Sequence, residues 1–328
     1  VSELRWNPLL SQWVITATHR QDRTFFPPRD YCPLCPTKPG AFPTEIPAPD
    51  YDIVVFENKF PSLRTPAPEP ALEGNGLEPV RLADGVCEVV CYTPDHDSTL
   101  AEQPIERIAH LIEVWTDRFA DMGSRLEVDY VFIFENKGKE IGVTLSHPHG
   151  QIYGYPFIPP VIETELASCR SHLEKTGRNL LLDIVAEELA DGRRIVLENE
   201  SFVAYIPFFA RYPYEVHITA RRPGKVCLPD FTGEERLDLA RTLKSVLVAY
   251  DGLWGFSLPY IMVMHQRPTD GGEYGGYYQF HIEFYPPFRT KDKLKYLAGS
   301  EAGAGAFIND TLAEEKAQEL RMHLPNMV

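Results

Sequence analysis

Ser146-His147-Pro148-His149-Gly150-Gln151 is the stretch on which the reading of this chain turns. The ring of Pro148 disfavours the α region for the residue before it, so His147 is expected in extended backbone. Side chains two apart in an extended chain point the same way. His147, His149 and Gln151 are therefore expected to converge from one face on one small volume. Gly150 lets the backbone approach a ligand closely. An imidazole near neutral pH can bind a metal or attack phosphorus, which weighs against two histidines merely satisfied in a turn.

Outward from this segment, the chain repeats itself. Gln12 to Thr16, Asp52 to Phe56, Cys87 to Tyr92, Val128 to Phe134 and Gln151 to Phe157 read as strands. Pro104, tolerated in a first turn, opens a helix whose buried face carries Ile105, Ile108, Ile112, Trp115 and Phe119. After a helical link from Ile162 to Leu189, interrupted near Gly177, the order recurs. Strands are expected at Ser201 to Ile206, Glu215 to Ala220, Tyr260 to Met264 and Tyr278 to Tyr285, around a helix from Glu234 to Tyr250. A final peripheral helix is expected from Leu312 to Met322. Two β-β-α-β-β halves imply an α+β fold born of internal duplication, residues 1–160 and 161–328, with their antiparallel sheets joined or packed side by side.

Composition narrows the function. The 328 residues, 44% hydrophobic and 24% charged, suit a globular protein, and no apolar run approaches the roughly 20 residues that cross a bilayer. The opening Val1-Ser2-Glu3-Leu4-Arg5-Trp6 has no signal-peptide pattern, so a cytoplasmic location is expected. A net charge of −15 argues against a general nucleic-acid binder. Six cysteines do not make a disulfide scaffold in a chain this long. Cys32 and Cys35 form a C-x-x-C pair in a proline-rich loop, which suits zinc, a redox pair, or nothing. The prolines speak against the helix that a thioredoxin-like pair opens. Zinc would need two further ligands, for which His96 and His147 are the candidates. Late in the chain, His281 and Glu283 share one face of a strand, His265 ends the strand before it, and Glu165 lies early in the linking helix.

Phe134-Glu135-Asn136-Lys137-Gly138 followed by His147-Pro148-His149-Gly150-Gln151 closely resembles the galactose-1-phosphate uridylyltransferase family of the histidine-triad superfamily, and the likeness runs from Arg5 to about Glu301. The resemblance implies two histidine-triad-like halves and a double displacement. His149 would take UMP from UDP-glucose as a covalent uridylyl group and pass it to galactose 1-phosphate, while Gln151 donates a hydrogen bond to the phosphoryl oxygen. It also implies a structural zinc on Cys32, Cys35, His96 and His147. A second metal, zinc or iron, would lie on Glu165, His265, His281 and Glu283, the last standing where the family has a histidine. Substrate contacts carried over are Arg20, Arg23, Asn58, Lys59, Phe60, Asn136 and Thr144, with Lys295 and Glu301 holding the hexose. The arginines are expected to reach across a homodimer interface. Val143 and Thr144 stand where a cysteine and a serine are common, and the segment from Ser300 to Phe307 lacks the family's usual tyrosine and glutamine.

Rival functions are an ADP-sugar or dinucleotide polyphosphate phosphorylase of the same superfamily, since the H-x-H-x-Q core recognises phosphorus and not the base. A zinc-stabilised nucleotide binder without catalysis would have no use for the His149 nucleophile. A redox protein using Cys32 and Cys35 is the third.

Overall fold

The structure, a computed structural model, describes residues 1–22, 27 and 31–326. The chain begins with β1 (Ser2–Asn7) and β2 (Gln12–Ala17), and continues through β3 (Val54–Glu57), β4 (Val80–Leu82) and β5 (Val86–Cys91). Helix α1 (Ile105–Gly123) precedes β6 (Tyr130–Lys137) and β7 (His149–Tyr155). Helices α2 (Pro160–Thr176) and α3 (Leu180–Asp191) link to β8 (Ile195–Glu198), β9 (Phe202–Tyr205) and β10 (Val216–Ala220). Helix α4 (Gly233–Gly252), β11 (Tyr260–His265), β12 (His281–Tyr285), the hairpin β13 (Phe288–Thr290) and β14 (Lys293–Leu294), and α5 (Ala313–Arg321) complete it.

Among the described residues, one nine-stranded sheet runs β3-β5-β7-β6-β11-β12-β10-β9-β8, every pair antiparallel. The sheets of the two halves are thus joined, through β6 and β11, with Phe134 opposite Val263 and Lys137 opposite Tyr260. The order is mirrored about that joint, so β7 and β12 occupy equivalent places, each second from it. His149 and Gln151 of β7 therefore match His281 and Glu283 of β12 in position. A separate sheet, β2-β1-β4, lies in the N-terminal half.

Side-chain periodicity explains the layering. In α1, Ile108, Leu111, Ile112, Trp115, Phe119 and Met122 are buried, the i, i+3, i+4 stripe that drives a helix onto a sheet. Each such side chain, fully buried, contributes roughly 1.5–3 kcal/mol. The stripe packs with Val90, Ile133, Ile152 and the apolar face of α4 in one continuous core. Helix α4 starts in a reciprocal cap: Thr232 Oγ1 accepts from the Glu235 amide, and Glu235 Oε2 accepts from the Thr232 amide. Helix α2 opens on Pro160 and stops at Gly177, whose φ of +73° is the left-handed conformation that ends helices.

The opposite face of the sheet is left to the functional groups. Strand β6 sends Phe132, Phe134 and Asn136 there and Ile133 and Glu135 toward the helices. Phe134 stacks on Phe132 at 5.2 Å and meets Tyr153 edge-on at 5.1 Å, an aromatic floor for what lies above. Several expected strands begin later than the alternation suggested. Strand β12 starts at His281 because the preceding backbone turns away: Phe280 N donates to Lys225 O, outside the ladder with β11.

Candidate active site and cation centres

Strand β7 begins at His149, not before it, and this decides how the motif is used. Pro148 gives its carbonyl to the Tyr92 amide, and His147 lies outside the strand alternation. The expected convergence of His147, His149 and Gln151 on one volume is therefore seen only in part, since His147 and His149 border one cavity of about 610 Å³ that Gln151 does not line. His147 is buried and turned toward Cys35, whereas His149 and Gln151 line a common cavity of about 490 Å³.

Most of the expected substrate residues meet in that cavity. Arg20, Asn58, Lys59, Phe60, Asn136 and Thr144 all line it with His149 and Gln151, although they come from four separate segments of chain. The Arg20 guanidinium donates to Phe60 O at 2.8 Å, so within one chain it already borders the cavity that it was expected to reach across an interface. Asn58 Oδ1 accepts from the Phe60 amide, and Lys59 pairs with Glu45 at 2.7 Å. Arg23 lies outside the described residues. Lys295 and Glu301 come together, at 3.5 Å, but line neither cavity that His149 borders. Sequence reasoning missed Phe56, Val89 and Tyr153, which form the cavity's apolar wall. Tyr153 was legible in principle, since it follows Gln151 by two in a strand.

Two hydrogen bonds orient the motif. His149 Nδ1 lies 2.7 Å from the His147 carbonyl, to which only an N–H can donate, so the imidazole lone pair belongs to Nε2. The Tyr153 hydroxyl donates to Gln151 Oε1 at 3.2 Å, leaving the amide NH₂ as the donor end. Gly150 is required by close packing: a Cβ there would meet the Tyr92 hydroxyl at 2.0 Å. Beneath it Glu135 is buried, and burial raises its carboxyl to about 7, against the opposing pull of Lys137 and of the Tyr260 and Tyr92 hydroxyls.

Cys32, Cys35, His96 and His147 offer donor atoms all within 4.8 Å of one another. His96 Nδ1 and His147 Nδ1 lie 3.5 and 3.6 Å from Cys35 Sγ. A tetrahedral zinc separates sulfur and nitrogen ligands by about 3.6 Å, so the donor set fits that ion. The outer nitrogens are tethered as metal-bound histidines require. His147 Nε2–H donates to Thr93 O at 2.8 Å, and His96 Nε2 lies 3.2 Å from Ser146 Oγ. Burial and the adjacent Cys32 push the Cys35 thiol up to about 12, so ionising Cys35 calls for a cation.

The second expected set is also assembled. His265 Nδ1 lies 2.9 Å from Glu165 Oε1 and 3.1 Å from His281 Nε2, and His281 Nε2 lies 3.6 Å from Glu283 Oε1. His281 Nδ1 donates to Gln279 O, which leaves Nε2 for the centre. Two carboxylates and two imidazoles can hold zinc, manganese or ferrous iron. Sequence reasoning missed an extension of this set: Glu215, His217 and Glu283 form an overlapping group of donors, buried beside it.

A model of the galactose-1-phosphate uridyl transferase N-terminal domain matches residues 1–159, and one of the C-terminal domain matches residues 165–327. The chain is 41% identical to a galactose-1-phosphate uridylyltransferase of Thermotoga maritima over 319 residues, which covers 97% of this chain and 98% of that protein. It is 38% identical to one from Streptomyces lividans over 88% of this chain and 77% of that protein. A solved uridylyltransferase structure superposes with a TM-score of 0.86 at 34% identity, covering 98% of each chain. No helix among the described residues is long and apolar enough to cross a membrane.

Proposed function

The chain belongs to the galactose-1-phosphate uridylyltransferase family, and from that premise we propose that it moves UMP from UDP-glucose to galactose 1-phosphate by two displacements at His149. The observation that carries this mechanism is the bond from His149 Nδ1 to the His147 carbonyl, which leaves the lone pair on Nε2. In the first displacement Nε2 bonds to the α-phosphorus. The bond from that phosphorus to the bridging oxygen breaks, and its electron pair leaves with glucose 1-phosphate. In the second, a phosphate oxygen of galactose 1-phosphate attacks the uridylyl phosphorus, and the nitrogen–phosphorus pair returns to the imidazole. Neither leaving group needs a proton, so the work is positioning and charge stabilisation. The Gln151 amide donates to a phosphoryl oxygen without titrating. Arg20, Lys59 and Arg23 supply positive charge to the phosphates, with Asn58, Phe60, Asn136 and Thr144 as the remaining walls.

Lys295 and Glu301 hold the hexose in this proposal. Their separation from His149's own cavity favours a homodimer in which each subunit completes its partner's site. Residues 1–160 carry the nucleophile and the zinc set; residues 161–328 carry the second set, for zinc or iron. Zinc on Cys32, Cys35, His96 and His147 would hold the segment leading into β7 and perform no chemistry. Six cysteines with no disulfide among them suit the reducing cytoplasm.

The test is incubation with UDP-glucose and no acceptor. One uridylyl group should appear on the peptide containing His149, and His149→Ala should lose both the label and exchange. Preference for ADP-glucose, or for inorganic phosphate as acceptor, would move the assignment to a phosphorylase of the same superfamily.

A further inference from the structure

The second donor set does not end at Glu283. Strand β10 lies beside β12 with His217 opposite Glu283, and His217 Nε2 is 3.3 Å from Glu283 Oε1 and 3.0 Å from Glu215 Oε1. A row of three histidines and three glutamates, buried except for the partly exposed Glu165, therefore crosses β11, β12 and β10 and reaches back to Glu165 on α2. The rings follow it, with His265 and His281 4.8 Å apart and His281 and His217 6.3 Å apart. In ligand type, this is a frame that could bind two ions, with Glu283 as the shared carboxylate.

Arg211 stands at one end of that frame. Its guanidinium donates to Glu283 Oε2 at 3.1 Å, approaches Glu215 Oε1 at 3.5 Å and donates to the Tyr285 hydroxyl at 2.9 Å. Tyr285 also donates to Glu283 Oε2. The two oxygens of Glu283 are thus divided. Oε1 faces His281 and His217, whereas Oε2, which a second ion would need, is held by the guanidinium and the phenol. Charge agrees with geometry. Glu215 and Glu283 are buried carboxylates, and the Arg211 guanidinium beside both supplies the counter-charge that a second ion would otherwise bring.

We propose that Arg211 is a permanent cation in one half of a two-cation frame: a single divalent ion takes Glu165, His265, His281 and Glu283 Oε1, and the guanidinium takes Glu283 Oε2 and Glu215 in place of a second ion. The arginine thereby supplies the counter-charge that a glutamate, but not a histidine, requires at position 283. This rests on the proposal above that the second set takes a cation.

The experiment loads purified protein with Mn²⁺, with the thiolate-bound zinc left in place, and counts bound manganese by electron paramagnetic resonance and elemental analysis. Wild type should bind one magnetically isolated ion. Arg211→Ala removes the guanidinium from Glu283 and Glu215, which with His217 offer donor atoms all within 4.8 Å of one another, and should bind two ions with an exchange-coupled spectrum. Arg211→Ala combined with Glu215→Gln should return to one. Should Arg211→Ala not fold, Arg211→Gln, neutral and of similar reach, must give the same second ion. Two coupled ions in wild type would overturn the proposal. So would one ion in every folded variant. No uptake by wild type would sink it together with the second-cation assignment, whereas exchange activity in the same preparations reports separately on the transferase chemistry.

Discussion

Replacing Glu135 by glutamine should make the protein more stable at alkaline pH and leave it nearly unchanged in acid. The Glu135 carboxyl lies on the helix side of β6, 4% exposed, and no hydrogen bond of good geometry reaches its Oε2. Burial therefore dominates, lifting the pKa from 4.5 to about 7. Because the folded pKa is the higher one, the folded protein binds the proton more tightly than the unfolded chain does. Stability from this group is fully present below pH 4.5 and is lost as pH rises through 7. At about 1.4 kcal/mol per pKa unit, the loss is about 3 kcal/mol. Glutamine is neutral throughout and escapes it. Urea titrations of both proteins at several pH values between 4.5 and 8 give the difference in unfolding free energy, in which other titrating groups cancel. That difference should grow by about 3 kcal/mol across the range. A difference that stays flat with pH would refute the argument, because it would mean that Glu135 is ionised in the folded state at little cost.

Two more outcomes follow from the same strand and its neighbour. Gly150→Ala should cost at least about 1–3 kcal/mol through overpacking, because its Cβ meets the Tyr92 hydroxyl at 2.0 Å and Phe134 O at 3.1 Å. Exchange rates should fall with it as His149 is displaced, and adding Tyr92→Phe should recover part of both; no recovery would place the clash elsewhere. Cys35→Ser should remove zinc and lower the melting temperature together, with a loss of stability on the order of several kcal/mol, since a structural ion contributes folding energy directly. Unchanged zinc by elemental analysis would remove Cys35 from the ligand set.

Much of this site was legible because its parts are local or chemically distinctive. His149 and Gln151 are separated by one residue, and the thiols of Cys32 and Cys35 stand three apart in a loop where no helix can use them. The α1 and α4 faces declared themselves by period. What the sequence hid depends on register. The shared face of His147 and His149 failed because alternation holds only inside a strand, and β7 starts at His149. Arg211, Glu215 and His217 join Glu283 only because β10 pairs with β12 in one particular offset, which residues 66 or more positions away do not announce. Strands β1, β4 and β8 were hidden too, β4 and β8 because three or four residues offer little periodicity to read. Strand β1 also buries a charge: Glu3 is fully buried, and it is tolerated there because Arg5 and the Ala71 amide satisfy its oxygens.

The joint between the halves, β6 against β11, is made of backbone amides and carbonyls. Any residue except proline supplies those groups, so the joint is nearly indifferent to which side chains stand along it. Substitutions along these two strands therefore leave the ladder's own hydrogen bonds in place, while the packing of α1 on α4 ties the halves together through side chains. Equivalent positions on β7 and β12 were free to drift toward different trades on the same plane, a nucleophile with its amide on one side and a row of cation ligands on the other. The two centres stay in fixed relation to each other, however far their chemistries diverge.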